Sequence, residues 1–198
     1  MAHQITAKQF KSIRALDGIS ERTMVEHHKL YQGYINKYNE IMTKLETVDQ
    51  KSAHQIFSDL RSLKTDLAFA IGGVKNHDIY FTHLGGKGGE PDGKLKQAIV
   101  RDFGSFEQWA ADLKFTGLAA RGWVWLAYDH EWKKFFNYLG DAQNTFPVWN
   151  ATPILALDVY EHAYWIDFGA ARAAYIDAYF KNLDWDVVAT NYDALKVS

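Results

Sequence analysis

From Ser20 to about Thr47 the chain repeats apolar and aromatic residues at helical spacing, with Met24, Tyr31, Tyr34, Ile35, Tyr38, Ile41 and Leu45 recurring in that register. Ser20 suits the cap of that helix, and the acidic Glu21 sits just inside it. A second helix is expected from about Gln50 to Gly72, with Ile56, Leu60, Leu63, Leu67 and Ala70 on one face, and a shorter one over Val74 to Leu84. Together they predict an antiparallel helical hairpin. The glycine-rich run from Gly85 to Gly93 is the sharpest break in the pattern. The domain boundary is expected there, between an N-terminal hairpin domain (1–86) and a C-terminal domain (87–198).

Beyond the break the periodicity predicts helices over about Gly93–Phe103 and Ser105–Thr116. The texture then turns to β-formers. Trp123–Tyr128 reads as a strand, Asp129-His130-Glu131 as a turn, Lys133–Leu139 as the returning strand, and Pro153–Leu157 as a third strand leading into Asp158. Helix resumes from Tyr164 to Lys181 and again past Asp184. The expected fold class is α+β, a helical hairpin followed by a small three-stranded antiparallel sheet flanked by helices.

Composition narrows the function classes. Net charge is −2 over 198 residues, which offers no basic field for nucleic acid or a membrane surface. No apolar run is long enough to span a bilayer, and the first twenty residues lack the pattern of a signal peptide, so a cytoplasmic protein is expected. There is no Cys, which leaves His, Asp and Glu as the side chains able to hold a metal. Aromatic residues reach 15%, implying bulky packing around a core or a buried site. The glycine run looks superficially like a phosphate loop, but the Lys and Ser/Thr that such a loop needs after its last Gly are not in place.

Eight histidines are available, and the strongest local candidate is Asp158-Val-Tyr-Glu161-His162, at the end of an apolar strand. A carboxylate buried there needs a partner to offset its desolvation, and a cation shared with His162 supplies one. His and carboxylate ligands suit iron, manganese or zinc. The plain alternative is an Asp capping the next turn beside a solvated His, and spacing alone leaves both open.

Asp158-Val-Tyr-Glu-His162-Ala-Tyr-Trp165 resembles the signature of the iron/manganese superoxide dismutase family, usually D-x-W-E-H-A-Y-Y. Asn76-His77-Asp-Ile-Tyr80-Phe81 resembles that family's second ligand segment, Gly88-Gly-Glu-Pro91 its inter-domain loop, Phe103-Gly-Ser-Phe106 its following helix start, and Arg121-Gly-Trp-Val-Trp125-Leu126 its first strand. The likeness spans about Thr23 to Trp185.

The resemblance implies one Fe or Mn ion per chain, lying between the two domains and held by His27, His77, Asp158 and His162. It implies superoxide as the substrate. The family places its first ligand eight residues before an active-site Tyr, whereas His27 lies seven before Tyr34. Seven residues are two helical turns, so the two share a face, and a helix without the family's π-bulge needs one residue fewer. His27 is therefore preferred over His28 and Glu26.

Tyr34 resembles the tyrosine at the mouth of the substrate funnel, and Gln143 the residue that reaches metal-bound solvent. Trp123, Trp125, Tyr160 and Phe81 resemble its aromatic shell. Glu161, Trp165 and Arg172 resemble residues at the interface of a homodimer or homotetramer. Leu30 and Trp165 stand where the family often has an interacting His and Tyr. Two alternatives stay open: a catalytically silent relative acting as a metal-binding or interaction protein, and a zinc or iron hydrolase or oxygenase.

Overall fold

A computed structural model of the chain describes residues 2–144 and 148–197. Helix α1 spans Glu21–Leu45, and Ser20 caps it by accepting from the Thr23 amide at 3.2 Å. Its first turn is also tied from outside, because the Asp167 carboxylate accepts from the Ser20 amide and the Thr23 hydroxyl, each at 2.7 Å. The helix bearing His27 and Tyr34 therefore starts from a fixed point. Helix α2 spans Asp59–Thr82, capped by Ser58, and returns antiparallel along α1 to complete the hairpin.

The expected second and third helices are one. The link from α1 is longer than the pattern suggested, with only a 3-10 turn at Gln50–Ser52, and Ile56 lies in it, 79% exposed. Gly72 and Gly73, read as the break, lie inside α2. Their role is close approach. A Cβ on Gly72 would stand 2.1 Å from the Gln143 carbonyl oxygen, and one on Gly73 would stand 2.5 Å from the Tyr34 ring. Glycine here permits contact and is tolerated in the helix because its neighbours are bound to it.

Helices α3 (Gly93–Phe103) and α4 (Phe106–Ala119) precede the sheet, and Ser105 caps α4 as the resemblance to a helix start implied. Strands β1 (Trp123–Asp129), β2 (Lys134–Gly140) and β3 (Ala151–Asp158) form an antiparallel sheet in the order β2-β1-β3. The Asp129 carboxylate accepts from the amides of Glu131 and Trp132, closing the β1–β2 turn. As the central strand, β1 is buried along its whole length, which is why its sequence is a continuous apolar run. Its register sets Trp123 opposite Asp158.

The helix expected over Tyr164–Lys181 is broken, while the one expected past Asp184 is present. A 3-10 turn at Glu161–Ala163 is followed by α5 (Trp165–Phe168), α6 (Arg172–Lys181) and α7 (Trp185–Ala194). Gly169, at φ 51° and ψ −127°, takes a positive-φ conformation that favours glycine and ends α5. The glycine run folds back on this region: the Gly85 and Gly86 amides donate to Asn182 and the Gly88 amide to Leu183. Those donors are thus engaged in the fold, unlike the free amides of a phosphate cradle. Among the described residues no helix is long and apolar enough to cross a membrane.

Gly72→Ala should destabilise the protein by about 1–3 kcal/mol, since its methyl group meets backbone that must shift. Gly33→Ala in α1, where an added Cβ meets nothing within 4 Å, should instead stabilise it by about 0.5–1 kcal/mol. Chemical denaturation of the two variants beside the parent checks the pair, and equal effects would refute the close-approach reading of Gly72.

Candidate metal centre

Four elements deliver four side chains to one point. His27 comes from the second turn of α1, His77 from the C-terminal half of α2, Asp158 from the last position of β3, and His162 from the 3-10 turn that follows. One ligand atom from each lies within 4.8 Å of the other three, and His27, His77 and Asp158 are wholly buried. Asp158 Oδ2 is the hub: His27 Nε2 stands 3.0 Å from it, His162 Nε2 3.1 Å and His77 Nε2 3.6 Å. Its Oδ1 accepts from the Tyr160 amide at 2.9 Å.

The hydrogen-bonding of His77 makes this cluster chemically incomplete by itself. Its Nδ1 lies 2.6 Å from the Gly73 carbonyl oxygen, which can only accept, so Nδ1 carries the proton. Burial pushes its pKa down to about 3, so the ring is neutral and Nε2 presents a bare lone pair. Nε2 has no hydrogen-bond partner among the described residues. A lone pair thus faces a carboxylate oxygen with no hydrogen between them, in a site shut off from water. Asp158 is ionised despite its burial, because the charge and hydrogen bond of His162 and the hydrogen bond of His27 hold its pKa well below the usual carboxylate range. A cation between these atoms resolves the arrangement. Ligand bonds of about 2 Å put opposed donors about 4 Å apart, which the cluster accommodates. Neutral imidazoles with one carboxylate form a donor set for iron, manganese or zinc.

Two family descriptions cover almost the whole chain. Residues 12–85 match the iron/manganese superoxide dismutases, alpha-hairpin domain, and residues 91–191 match the C-terminal domain of the same enzymes. The chain belongs to the iron/manganese superoxide dismutase family. It is 38% identical to "Superoxide dismutase [Fe]" of Aquifex aeolicus, over 96% of this chain and 92% of that protein. It is 39% identical to "Superoxide dismutase [Fe]" of Cupriavidus metallidurans (90% and 91% covered). It is 35% identical to "Superoxide dismutase [Mn] 2" of Halobacterium salinarum (88% and 87% covered). The relatives carry both metals in their names, and the four side chains fit a single ion of either.

The other residues singled out in the sequence divide into those at this cluster and those away from it. Gln143 Nε2 donates to the Tyr34 hydroxyl at 3.2 Å, and Gln143 Oε1 accepts from Trp123 Nε1 at 3.1 Å. The Trp123 ring lies 5.1 Å from that of His77, Phe81 4.9 Å from His27, and Tyr160 stacks on His162 at 5.2 Å. Trp125 is one layer further out, stacked on Trp123 and Tyr138. His28 and Glu26 point elsewhere, His28 Nε2 to the Lys8 carbonyl and Glu26 to Lys29. Glu161, Leu30 and Trp165 are exposed on this chain. Arg172 ties the end of α4 to Tyr164 through the Ala120 carbonyl and the Tyr164 hydroxyl.

Two residues at the site were given no role by sequence, although Asn76 lies in the segment that carries His77. Tyr31 is buried, its ring 6.4 Å from His77 and its hydroxyl donating to Asp78 at 2.8 Å. The signal was its place four residues after His27 and three before Tyr34, on their common face. Asn76 Nδ2 donates to the Gln143 carbonyl at 3.1 Å and so anchors the loop that carries Gln143. No local pattern in the sequence announces a contact between residues 67 positions apart.

Burial also lowers the pKa of His27, and that of His83 to about 3, below the 6.5 of a free imidazole. The unfolded chain then binds more protons than the folded one between about pH 6.5 and pH 3. Stability of the metal-free protein should therefore fall as pH is lowered across that window, by up to about 1.4 kcal/mol per pH unit for each of His77 and His83, with His27 acting in the same direction. His162, whose pKa the Asp158 charge raises against the effect of burial, works oppositely: its contribution is present below 6.5 and lost as pH rises through its folded value. Urea midpoints from about pH 8 to about pH 4 test this, and a midpoint insensitive to pH would show that the imidazoles are not held neutral.

Proposed function

We propose that His27 Nε2, His77 Nε2, the Asp158 carboxylate and His162 Nε2 hold one iron or manganese ion, at which the chain acts as a superoxide dismutase. Two superoxide ions and two protons give oxygen and hydrogen peroxide. The observation that carries the reading is the unpartnered His77 lone pair facing the buried Asp158 carboxylate. An ion held there would supply the one-electron redox chemistry that dismutation needs. The catalytically silent alternative has no support, because the full donor set converges; zinc hydrolysis finds no separate acid or base at the cluster.

The chain's own residues handle access and protons. Trp123 Nε1 holds Gln143 Oε1, which turns the Gln143 amide hydrogens towards Tyr34. Because the Tyr34 hydroxyl accepts from Gln143, its own hydrogen is left to donate. Burial and the nearby Asp158 charge raise the Tyr34 pKa, so the phenol keeps that hydrogen at neutral pH. Tyr34 Oη is thus the proton donor to the reduced substrate, resupplied from solvent, and Gln143 fixes its position. Phe81, Trp123 and Tyr160 wall the cluster and exclude bulk water, with Trp125 packed behind.

We also infer a two-domain division, 1–86 and 87–198, with the ion between them, and a symmetric homodimer as the minimal assembly. Trp165 and Ile166 (53% and 43% exposed) follow His162 and the exposed Glu161 closely in the chain, and Leu30 (43%) is exposed on α1, the helix that packs against that turn. An apolar surface edged by a carboxylate next to a ligand His suits a self-complementary contact. Trp165→Glu should raise the dimer dissociation constant by about 100-fold or more, read by sedimentation equilibrium. A parent protein that sediments as a monomer would refute the dimer.

Activity is tested by loading the protein separately with iron and with manganese and following superoxide consumption. Activity should appear with at least one metal, fall by more than about 100-fold in His77→Ala, and fall by about 10–100-fold in Gln143→Ala. Stoichiometric metal binding without activity under either metal would refute the dismutase reading.

A further inference from the structure

Asp158 ends β3, and among the described residues β3 is an edge strand, paired with β1 on one side only. The outer side of an edge strand carries carbonyl groups that the ladder leaves unpaired. Here three in succession, at every second residue, are each met by a side chain. Asn191 Nδ2 donates to the Ile154 carbonyl at 3.0 Å, and the Tyr179 hydroxyl donates to that of Ala156 at 2.8 Å. The Tyr175 hydroxyl donates to that of Asp158, also at 2.8 Å. The two tyrosines are four apart on α6 and their targets two apart on β3, so one helical turn spans one strand repeat.

Both phenols are fully buried and each has a single hydrogen, already given to the strand. Each therefore accepts from its other neighbour. Tyr175 accepts from the Tyr80 hydroxyl at 3.1 Å, and Tyr179 from His83 Nε2 at 2.8 Å. Tyr80 and His83 lie three and six residues after His77, at the C-terminal end of α2. Two parallel hydrogen-bond relays thus run from the helix that carries one ligand, through α6, to the strand that carries another. Burial raises the pKa of Tyr80, Tyr175 and Tyr179 and lowers that of His83, so all four are neutral and the donor directions are fixed.

We propose that the Tyr80–Tyr175 relay is a positioning device for Asp158, fixing the ligand's main chain against the helix that bears His77, and that Tyr175 is the positioning residue through which it acts. The His83–Tyr179 relay bears on Ala156, two residues short of the ligand, and serves stability alone. The inference rests on the reading of the four-residue cluster as a metal centre. Its physical basis is that a carboxylate aimed by its backbone turns when that backbone is released. Outer groups of this kind typically alter metal affinity by 10–100-fold.

The test compares Tyr175→Phe with Tyr179→Phe, both of which keep the ring and lose the two buried hydrogen bonds of the hydroxyl. Manganese affinity of the purified full chain is measured by chelator competition, beside thermal unfolding of the metal-free protein. Both variants should lower the melting temperature by a similar amount, about 5 °C. Only Tyr175→Phe should weaken manganese binding, by about tenfold. Tyr80→Phe, one hydrogen bond further from the ligand, should weaken it by more than about twofold. It also carries the test if Tyr175→Phe does not fold, and in combination with Tyr175→Phe it should add less than its single effect. Affinity unchanged in Tyr175→Phe and Tyr80→Phe, or reduced as much in Tyr179→Phe, overturns the proposal. Failure of the unaltered chain to bind manganese or iron one-to-one overturns the metal-centre reading itself.

Discussion

An ionised carboxylate sealed away from water is the constraint around which this chain is arranged. Asp158 is fully buried, and removing such a group from water costs several kcal/mol even after the protein relaxes. Its surroundings offset that cost from every direction: the Tyr160 amide on Oδ1, two imidazoles on Oδ2, and a tyrosine on its carbonyl. One approach remains unsatisfied, the His77 lone pair, and it is the one a cation answers. The sheet register, the placing of α2 across β3 and the two close-approach glycines serve this one group.

Much of that arrangement was legible in the sequence, for identifiable reasons. Helices α1 and α4 were placed within a residue or two at their starts, where Ser20 and Ser105 cap them, whereas α2, capped in the same way by Ser58, was expected to begin at about Gln50. The strands were legible because β1 is buried throughout and its β-formers are uninterrupted. The errors share one cause. Gly72-Gly73 reads as punctuation when only local propensity is considered, whereas its reason for being glycine lies 71 and 39 residues away, at Gln143 and Tyr34. Ile56 fell into a helix by period alone, while Ser58 starts α2 after it. The helix expected over Tyr164–Lys181 breaks at Gly169, whose positive φ lies outside the helical region.

The shifted first histidine shows a departure from the family pattern that the geometry absorbs. Helix α1 is a continuous α-helix through residues 21–45, so seven residues bring Tyr34 back over His27. A ligand eight residues before the tyrosine would need an extra residue looped out. The same register turns Tyr31 inward and leaves Leu30 on the surface. Leu30 and Trp165, which replace the family's usual polar pair, are thus both outward-facing apolar groups, and a contact through them would rest on packing.

The four side chains able to hold an ion come in pairs from the two halves, His27 and His77 from the hairpin, Asp158 and His162 from the C-terminal part. An ion bound across such a division contributes to holding the halves together, and its affinity includes whatever it costs to align them. Ties that need no metal reduce that cost. The Asp167 carboxylate grips the start of α1, Asn76 grips the Gln143 carbonyl, Gly72 lies against the same loop, and the Tyr80–Tyr175 relay joins α2 to β3. Each spans from one half to the other close to a ligand or to Gln143. The donor set is therefore preorganised, so the energy of binding is available to set the ion's geometry and potential instead of to fold its site.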